Sequence, residues 1–249
     1  LDIIILGTSS PDRNYPSDAC SVQAAIGAVN AVAFDISAAC AGFIFAMNIV
    51  EGFFKAGIYK TALIIGAETL SKVTDWSDRG TCVLFGDGAG AAVLKAEETG
   101  IIDMMMGADG TKGDVLACTS RTVGNFLTGT KPELGFMTMD GQEVFKFAVR
   151  KVPESVMELL QRTGTKREDI KYYVLHQANE RIIEAAARRL KEPMEKFPMT
   201  IGQFGNTSTA SIPLLLDDMI QKDMLKRGDK IIMSGFGAGM TWGAVLMEW

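Results

Sequence analysis

The chain has 249 residues, of which 47% are hydrophobic and 22% charged. That balance excludes a disordered, collagenous or low-complexity protein and leaves room for one large core or two modest ones. With 25 basic against 30 acidic residues the formal net charge is −5, so there is no global basic footprint for nucleic acid.

In chain order, Ile3-Ile-Ile-Leu6 reads as a buried strand running into Gly7, not as a signal peptide. Helices are expected over 17–30, 40–57, 141–163, 179–191 and 209–224, alternating with Val- and Ile-rich strands. The richest apolar stretch, Ala33 to Val50, is interrupted by Asp35 and Asn48. It suits a helix buried on all sides and is too broken for a membrane span. Thr81-Cys-Val-Leu-Phe85 and Gly100-Ile-Ile-Asp-Met-Met-Met-Gly107 read as further strands. Alternating units of this kind predict an α/β protein with a largely parallel sheet. The cysteines at 20, 40, 82 and 118 form no CxxC or other close pair, which points to a reducing, cytoplasmic setting without zinc or a disulfide framework.

The chain repeats itself. Asp2–Leu6 resembles Lys171–Leu175, and the strand-to-helix turn at Phe34–Ala46 resembles Pro198–Leu215. Thr61–Ile65 pairs with Lys230–Met233, and Phe85-Gly-Asp-Gly-Ala-Gly-Ala-Ala-Val-Leu94 echoes the segment from Phe236 to Leu246. The first three pairs share an offset of about 165–170 residues, which marks a duplicated α/β unit and not a solenoid. The halves are expected at 1–97 and 98–249. Residues 101–170 have no counterpart before Asp2, so roughly seventy residues are expected ahead of this sequence.

In such sheets, sites form where strand C-termini meet helix N-termini, and Cys40, His176 and Asn206 all stand at such junctions. His176 is the single histidine, so a two-histidine metal site is excluded and any imidazole chemistry must use it. Its bland reading is a hydrogen-bonded structural residue at a strand end. Cys40 lies among small residues in Ser37-Ala-Ala-Cys-Ala-Gly42, at the expected first turn of a buried helix. The partial positive charge there would lower a thiol pKa, and the alternative is an inert apolar filler. Cys20, Cys82 and Cys118 read as fillers. Asn206 in Gly205-Asn-Thr-Ser208 reads either as a helix cap or, through the repeat, as the counterpart of Cys40. Gly86-Asp-Gly-Ala-Gly90 and Gly235-Phe-Gly-Ala-Gly239 join strands instead of opening helices, which rejects a dinucleotide site and favours tight turns offering amides to an oxyanion. Arg181, Arg188 and Arg189 share a helical face, either simply solvated or docking an acidic partner.

These blocks resemble the β-ketoacyl-(acyl carrier protein) synthase III family of the thiolase-like superfamily. The likeness rests on Ala38-Ala-Cys-Ala-Gly-Phe43, Asp78-Arg-Gly-Thr81, Phe85–Leu94, His176-Gln-Ala-Asn179, Gly205-Asn-Thr-Ser208 and Gly235-Phe-Gly-Ala-Gly-Met-Thr-Trp-Gly243. The resemblance implies a duplicated, five-layered αβαβα fold with mixed, mostly parallel sheets, a homodimer, and the first condensation of type II fatty-acid synthesis. Cys40 would carry the acyl group from an acyl-CoA. His176 and Asn206 would stabilise the enolate formed from malonyl-acyl carrier protein, and the amides of Cys40 and Ala238 would hold an oxyanion. Arg79 and Arg181 match residues that bind coenzyme A; Arg181, Arg188 and Arg189 match the carrier-protein docking stripe. Phe236 matches the aromatic beside the catalytic centre, and Tyr15 the residue reaching a neighbouring subunit's acyl pocket. No cofactor or metal is implied beyond the coenzyme A thioester substrate, and no nucleic-acid or membrane partner. One histidine excludes the Cys–His–His elongating enzymes, and Gly237-Ala-Gly-Met240 lacks the second cysteine of thiolases. Type III polyketide synthases or secondary-metabolite condensing enzymes, and a catalytically silent dimer partner, are the alternatives.

Overall fold

The computed structural model describes residues 1–120, 122–133 and 135–249. Its first half runs β1 (Ile3–Gly7), α1 (Asp18–Ala25), β2 (Val32–Ile36), α2 (Gly42–Lys55), β3 (Thr61–Glu68) and β4 (Gly88–Lys95). The second continues with β5 (Ile101–Ala108), β6 (Leu116–Cys118), β7 (Met137–Met139), α3 (Gly141–Thr163), β8 (Ile170–Leu175), α4 (Glu180–Leu190), α5 (Ile201–Phe204), α6 (Ser211–Gln221), β9 (Lys230–Gly237) and β10 (Thr241–Glu248).

Two four-stranded sheets result, ordered β2-β1-β3-β4 and β5-β10-β9-β8. In the first, β1 lies parallel to β2 and β3, and β4 is antiparallel to β3. In the second, β8 and β9 are parallel while β10 runs antiparallel to both β9 and β5. Helix α1 covers the outer face of the first sheet, α3 covers that of the second with α4 packed beside it, and α2 and α6 fill the space between the sheets. These are the five layers of an αβαβα sandwich. The β-branched runs explain the sheet centres: every residue of β1 is buried, as expected for a strand covered on both faces. The caps explain the helix starts. Asp140 accepts from the amides of Gln142 and Glu143 to open α3, and Asn179 accepts from Arg181 N to open α4.

Two expectations fail for local reasons. Thr81–Phe85 is not a strand, because Asp78 accepts from Gly80 N at 2.9 Å and Thr81 Oγ1 at 2.7 Å and so winds the segment into a turn. Nor does the chain before α5 form a strand matching β2. Phe197 is instead buried there, its ring stacked on Tyr173 at 4.8 Å.

The duplication also pairs residues differently from the sequence reading. Ala39 and Ser208 both adopt left-handed backbone, with φ of 46° and 50°, and each opens a 3-10 turn leading into a central helix. The counterpart of Cys40 is therefore Thr209, one residue past Ser208, and not Asn206.

Candidate active site

Cys40, His176 and Asn206 reach one cavity of about 140 Å³, which Phe236 and Gly237 also line. All three are buried, at 7%, 2% and 7% exposure. A larger groove of about 880 Å³ lies between β4 and the α2 and α6 helices, and none of the three reaches it.

Cys40 sits in the 3-10 turn ahead of α2. Two threonine hydroxyls from the second half hold the peptides before it: Thr209 donates to Ala39 O at 2.7 Å and Thr241 to Ala38 O at 3.0 Å. Gly237 makes the close approach possible, since a Cβ there would lie 2.6 Å from Cys40 N. This packing explains the glycine run of β9 without any nucleotide. Gly90 does the same for β4, where a Cβ would meet Pro213 Cβ at 2.9 Å.

The thiol itself differs from expectation. Burial pushes the Cys40 pKa up to about 12, the negative charge of Glu68 adds to the rise, and a hydrogen bond from Ser208 offsets only part of it. Desolvation outweighs the helix start, so the resting group is a thiol. Glu68 is itself buried and accepts from Ser10 Oγ at 2.6 Å, Ser9 N at 3.0 Å and Thr8 Oγ1 at 3.3 Å, with Thr209 Oγ1 at 3.2 Å. Nothing in its sequence context, an apolar strand end, singled it out.

His176 directly follows β8, its amide donating to Ser234 O at 2.8 Å. Its Nδ1 lies 2.6 Å from Ser211 Oγ, while its Nε2 is buried without a hydrogen-bond partner among the described residues. Phe236 packs edge-on against the imidazole at 5.4 Å between ring centroids. Burial lowers the His176 pKa to about 3, so the ring is neutral. Asn206 Oδ1 accepts from Ser208 N at 2.9 Å. With the oxygen so engaged, the amide nitrogen is left to donate into the cavity. A thiol, an imidazole edge and a carboxamide donor thus face one small apolar space.

The other expected residues lie outside that space. Ala238 does not line the cavity, though its neighbour Gly237 does. Arg79 is exposed in the turn held by Asp78, and Tyr15 is 85% exposed. Arg181 stands in the first turn of α4, whose capping Asn179 does line the cavity. Arg188 is exposed and 3.6 Å from Glu184, while Arg189 donates to Val149 O of α3 at 2.9 Å. Arg150, next to Val149 in α3, is also exposed and was not singled out from the sequence. Cys20 and Cys82 are half-buried, Cys118 is exposed, and all four thiols are free. No helix among the described residues is long and apolar enough to cross a membrane.

Comparison with known proteins defines the class first. The fold matches the thiolase-like condensing enzymes: the crystal structure of 3-oxoacyl-[acyl-carrier-protein] synthase III from Aquifex aeolicus superposes with a TM-score of 0.91 at 45% identity, covering 100% of this chain and 77% of that one. Residues 34–110 match the family described as 3-oxoacyl-[acyl-carrier-protein (ACP)] synthase III, and residues 160–249 match its C-terminal counterpart. Beta-ketoacyl-[acyl-carrier-protein] synthase III of Clostridium acetobutylicum is 51% identical and that of Clostridium novyi 53%, each over all of this chain and 77% and 78% of the respective relative. The chain belongs to the β-ketoacyl-[acyl-carrier-protein] synthase III family, a family of condensing acyltransferases of fatty-acid biosynthesis.

Proposed function

We propose that the chain condenses a short acyl-CoA starter with malonyl-acyl carrier protein through Cys40, His176 and Asn206. The observation that carries these roles is the shared cavity, with one nucleophile and two neutral groups able to donate.

Cys40 attacks the acyl-CoA carbonyl, the acyl group moves to its sulfur, and the thiol proton leaves with coenzyme A. The malonyl thioester then enters, and its carbonyl oxygen takes hydrogen bonds from His176 Nε2 and Asn206 Nδ2. As the carboxylate departs as carbon dioxide, the electron pair of the broken C–C bond passes into an enolate that the two donors stabilise. The enolate carbon attacks the acyl-Cys40 carbonyl, forming the new C–C bond and expelling the thiolate, which takes a proton from solvent water. The Cys40 amide and the turn at Gly237–Gly239, with Ala238 the expected donor, hold the oxyanion of each tetrahedral intermediate. A neutral His176 supports this reading, because a weak base in a dry site is suited to donating and not to carrying charge.

Around this centre, Arg79 and Arg181 bind coenzyme A, and the face bearing Arg181, Arg188 and Arg189 docks the acidic carrier protein. No cofactor takes part beyond the thioester. The exposure of the apolar side chains of Tyr15 and Val83 supports a homodimer, with Tyr15 at the second copy's acyl pocket. The chain divides into a nucleophile-bearing unit, 1–97, and a unit carrying His176 and Asn206, 98–249. Its place of action is the cytoplasm.

The test is product formation from acetyl-CoA and malonyl-acyl carrier protein. Wild type should release carbon dioxide and 3-ketoacyl-carrier protein. Cys40→Ala should form no condensation product, and Asn206→Ala should lose about 10²-fold or more in rate, as expected for one lost oxyanion donor. Product at the wild-type rate from Cys40→Ala would sink the mechanism.

A further inference from the structure

The two nitrogens of His176 leave an open question of tautomer, and the answer decides whether the ring donates into the cavity or accepts a proton there. The ring is neutral, so one nitrogen carries hydrogen and the other a lone pair.

Ser211, the first residue of α6, is buried at 2% exposure, with its Oγ 2.6 Å from Nδ1. The Gln177 amide donates to the same oxygen at 3.3 Å. That amide occupies one lone pair and leaves the direction of the short contact to Nδ1 to be settled. Other helical hydroxyls here turn back on a carbonyl four residues earlier, as Ser155 does on Lys151 O and Thr163 on Leu159 O, both at 2.8 Å. Ser211 has no such carbonyl among the described residues, and Nδ1 is its only acceptor. Were Nδ1 protonated, the serine would accept twice and its own hydrogen would be buried without a partner, an unfavourable state for a hydroxyl. Were Nδ1 unprotonated, both hydrogens at the serine are satisfied, since Gln177 N–H donates to Ser211 and Ser211 O–H donates to Nδ1, and the only unpaired hydrogen is the one on Nε2, at the cavity.

From this arrangement we propose that Ser211 is a positioning residue that locks His176 in its Nε2–H tautomer, making the imidazole a dedicated hydrogen-bond donor and withholding it as a base toward Cys40. The proposal deepens the reading of His176 given above and rests on it. The Nε2–H so fixed is the buried, unpartnered atom of the ring, and it shares the cavity with the Asn206 carboxamide. Two donors then converge where a thioester oxygen gains negative charge.

Because the chain holds a single histidine, labelling histidine with ¹⁵N reports this ring alone. In wild type the spectrum should show a protonated Nε2 and an unprotonated Nδ1. Ser211→Ala should mix the two tautomers and slow malonyl-carrier protein decarboxylation by up to about 10²-fold, the loss expected when one donor to a developing oxyanion is weakened. Acylation of Cys40 by acyl-CoA should change far less, and Ser211→Thr, which keeps the hydroxyl, should restore both the spectrum and the rate. A protonated Nδ1 in wild type would overturn the lock, as would a Ser211→Ala protein with the wild-type tautomer. Shifted tautomers with an unchanged decarboxylation rate would leave the lock standing and overturn the donor role of His176.

Discussion

At the residue scale the site is governed by desolvation more than by charge. Cys40 and His176 are pushed in opposite directions, the thiol up to about 12 and the imidazole down to about 3, and both moves favour the neutral form. Malonyl decarboxylation should therefore show no inflection from His176 between about pH 5 and 8, where an ordinary imidazole titrates. A rate falling through a pKa near 6.5 would contradict a buried neutral donor. The same shift has a stability consequence. In the unfolded chain His176 binds a proton at its ordinary pKa of 6.5, but in the folded protein only near 3. The unfolded state binds more protons between those values, so this contribution is present above 6.5 and is lost as pH falls toward 3. Thermal midpoints measured over that range should fall more steeply for wild type than for His176→Gln, and equal slopes would count against it. The residue types at the centre were legible from the sequence because one histidine and one cysteine beside small residues leave few assignments. Their protonation was not, since helix-start chemistry is a local inference whereas burial is a property of the closed fold.

Elements position these side chains through contacts between the halves. Thr209 and Thr241 reach across to the peptides ahead of Cys40, and Gly235 and Gly237 let β9 press against the same turn. Gly237→Ala should displace that turn: a Cβ 2.6 Å from Cys40 N predicts about 1–3 kcal/mol of overpacking cost. Denaturant titration checks this, and wild-type stability with wild-type activity would show the turn to be less constrained than its packing implies. The glycine runs read in sequence as tight turns offering amides, whereas Gly235 and Gly237 serve the close approach of β9 to the Cys40 turn. Likewise Asn206 was read as the mate of Cys40, where the paired left-handed residues Ala39 and Ser208 make Thr209 that mate. Sequence blocks align by residue type, whereas backbone equivalence is set by φ and strand register. On α4 the helical spacing did place Arg181, Arg188 and Arg189 at exposed positions, though it could not foresee Arg189 donating to α3. Arg188→Glu should weaken use of carrier protein several-fold at low salt while leaving acyl-CoA use nearly unchanged, as expected for an exposed, screened charge. Kinetics with both substrates across a salt series test it, and equal losses would place docking elsewhere.

For the whole molecule, duplication is the organising fact: two sheets sandwich a shared pair of helices, and the site lies where strand ends and helix starts from both halves meet. That architecture was readable from repeated apolar blocks, because a strand buried on both faces leaves an uninterrupted apolar run in sequence. The turn at Thr81–Phe85 was not, since its apolar residues hide the side-chain bonds of Asp78 that wind it. Large apolar side chains at Tyr15, Val83, Phe126 and Leu127 remain exposed on a single copy. Sedimentation equilibrium should accordingly give twice the chain mass of 26.8 kDa, and a monomer at micromolar concentration would contradict the proposed pairing.

The central claim, that Cys40 is the nucleophile of an acyl-transfer site completed by the second half of the chain, is tested most directly by intact-protein mass after incubation with a panel of short acyl-CoAs. The expected result is one acyl adduct, mapped to the Cys40 peptide, sensitive to hydroxylamine and missing from Cys40→Ala. An adduct on Cys20, Cys82 or Cys118, or one that persists in Cys40→Ala, would contradict it.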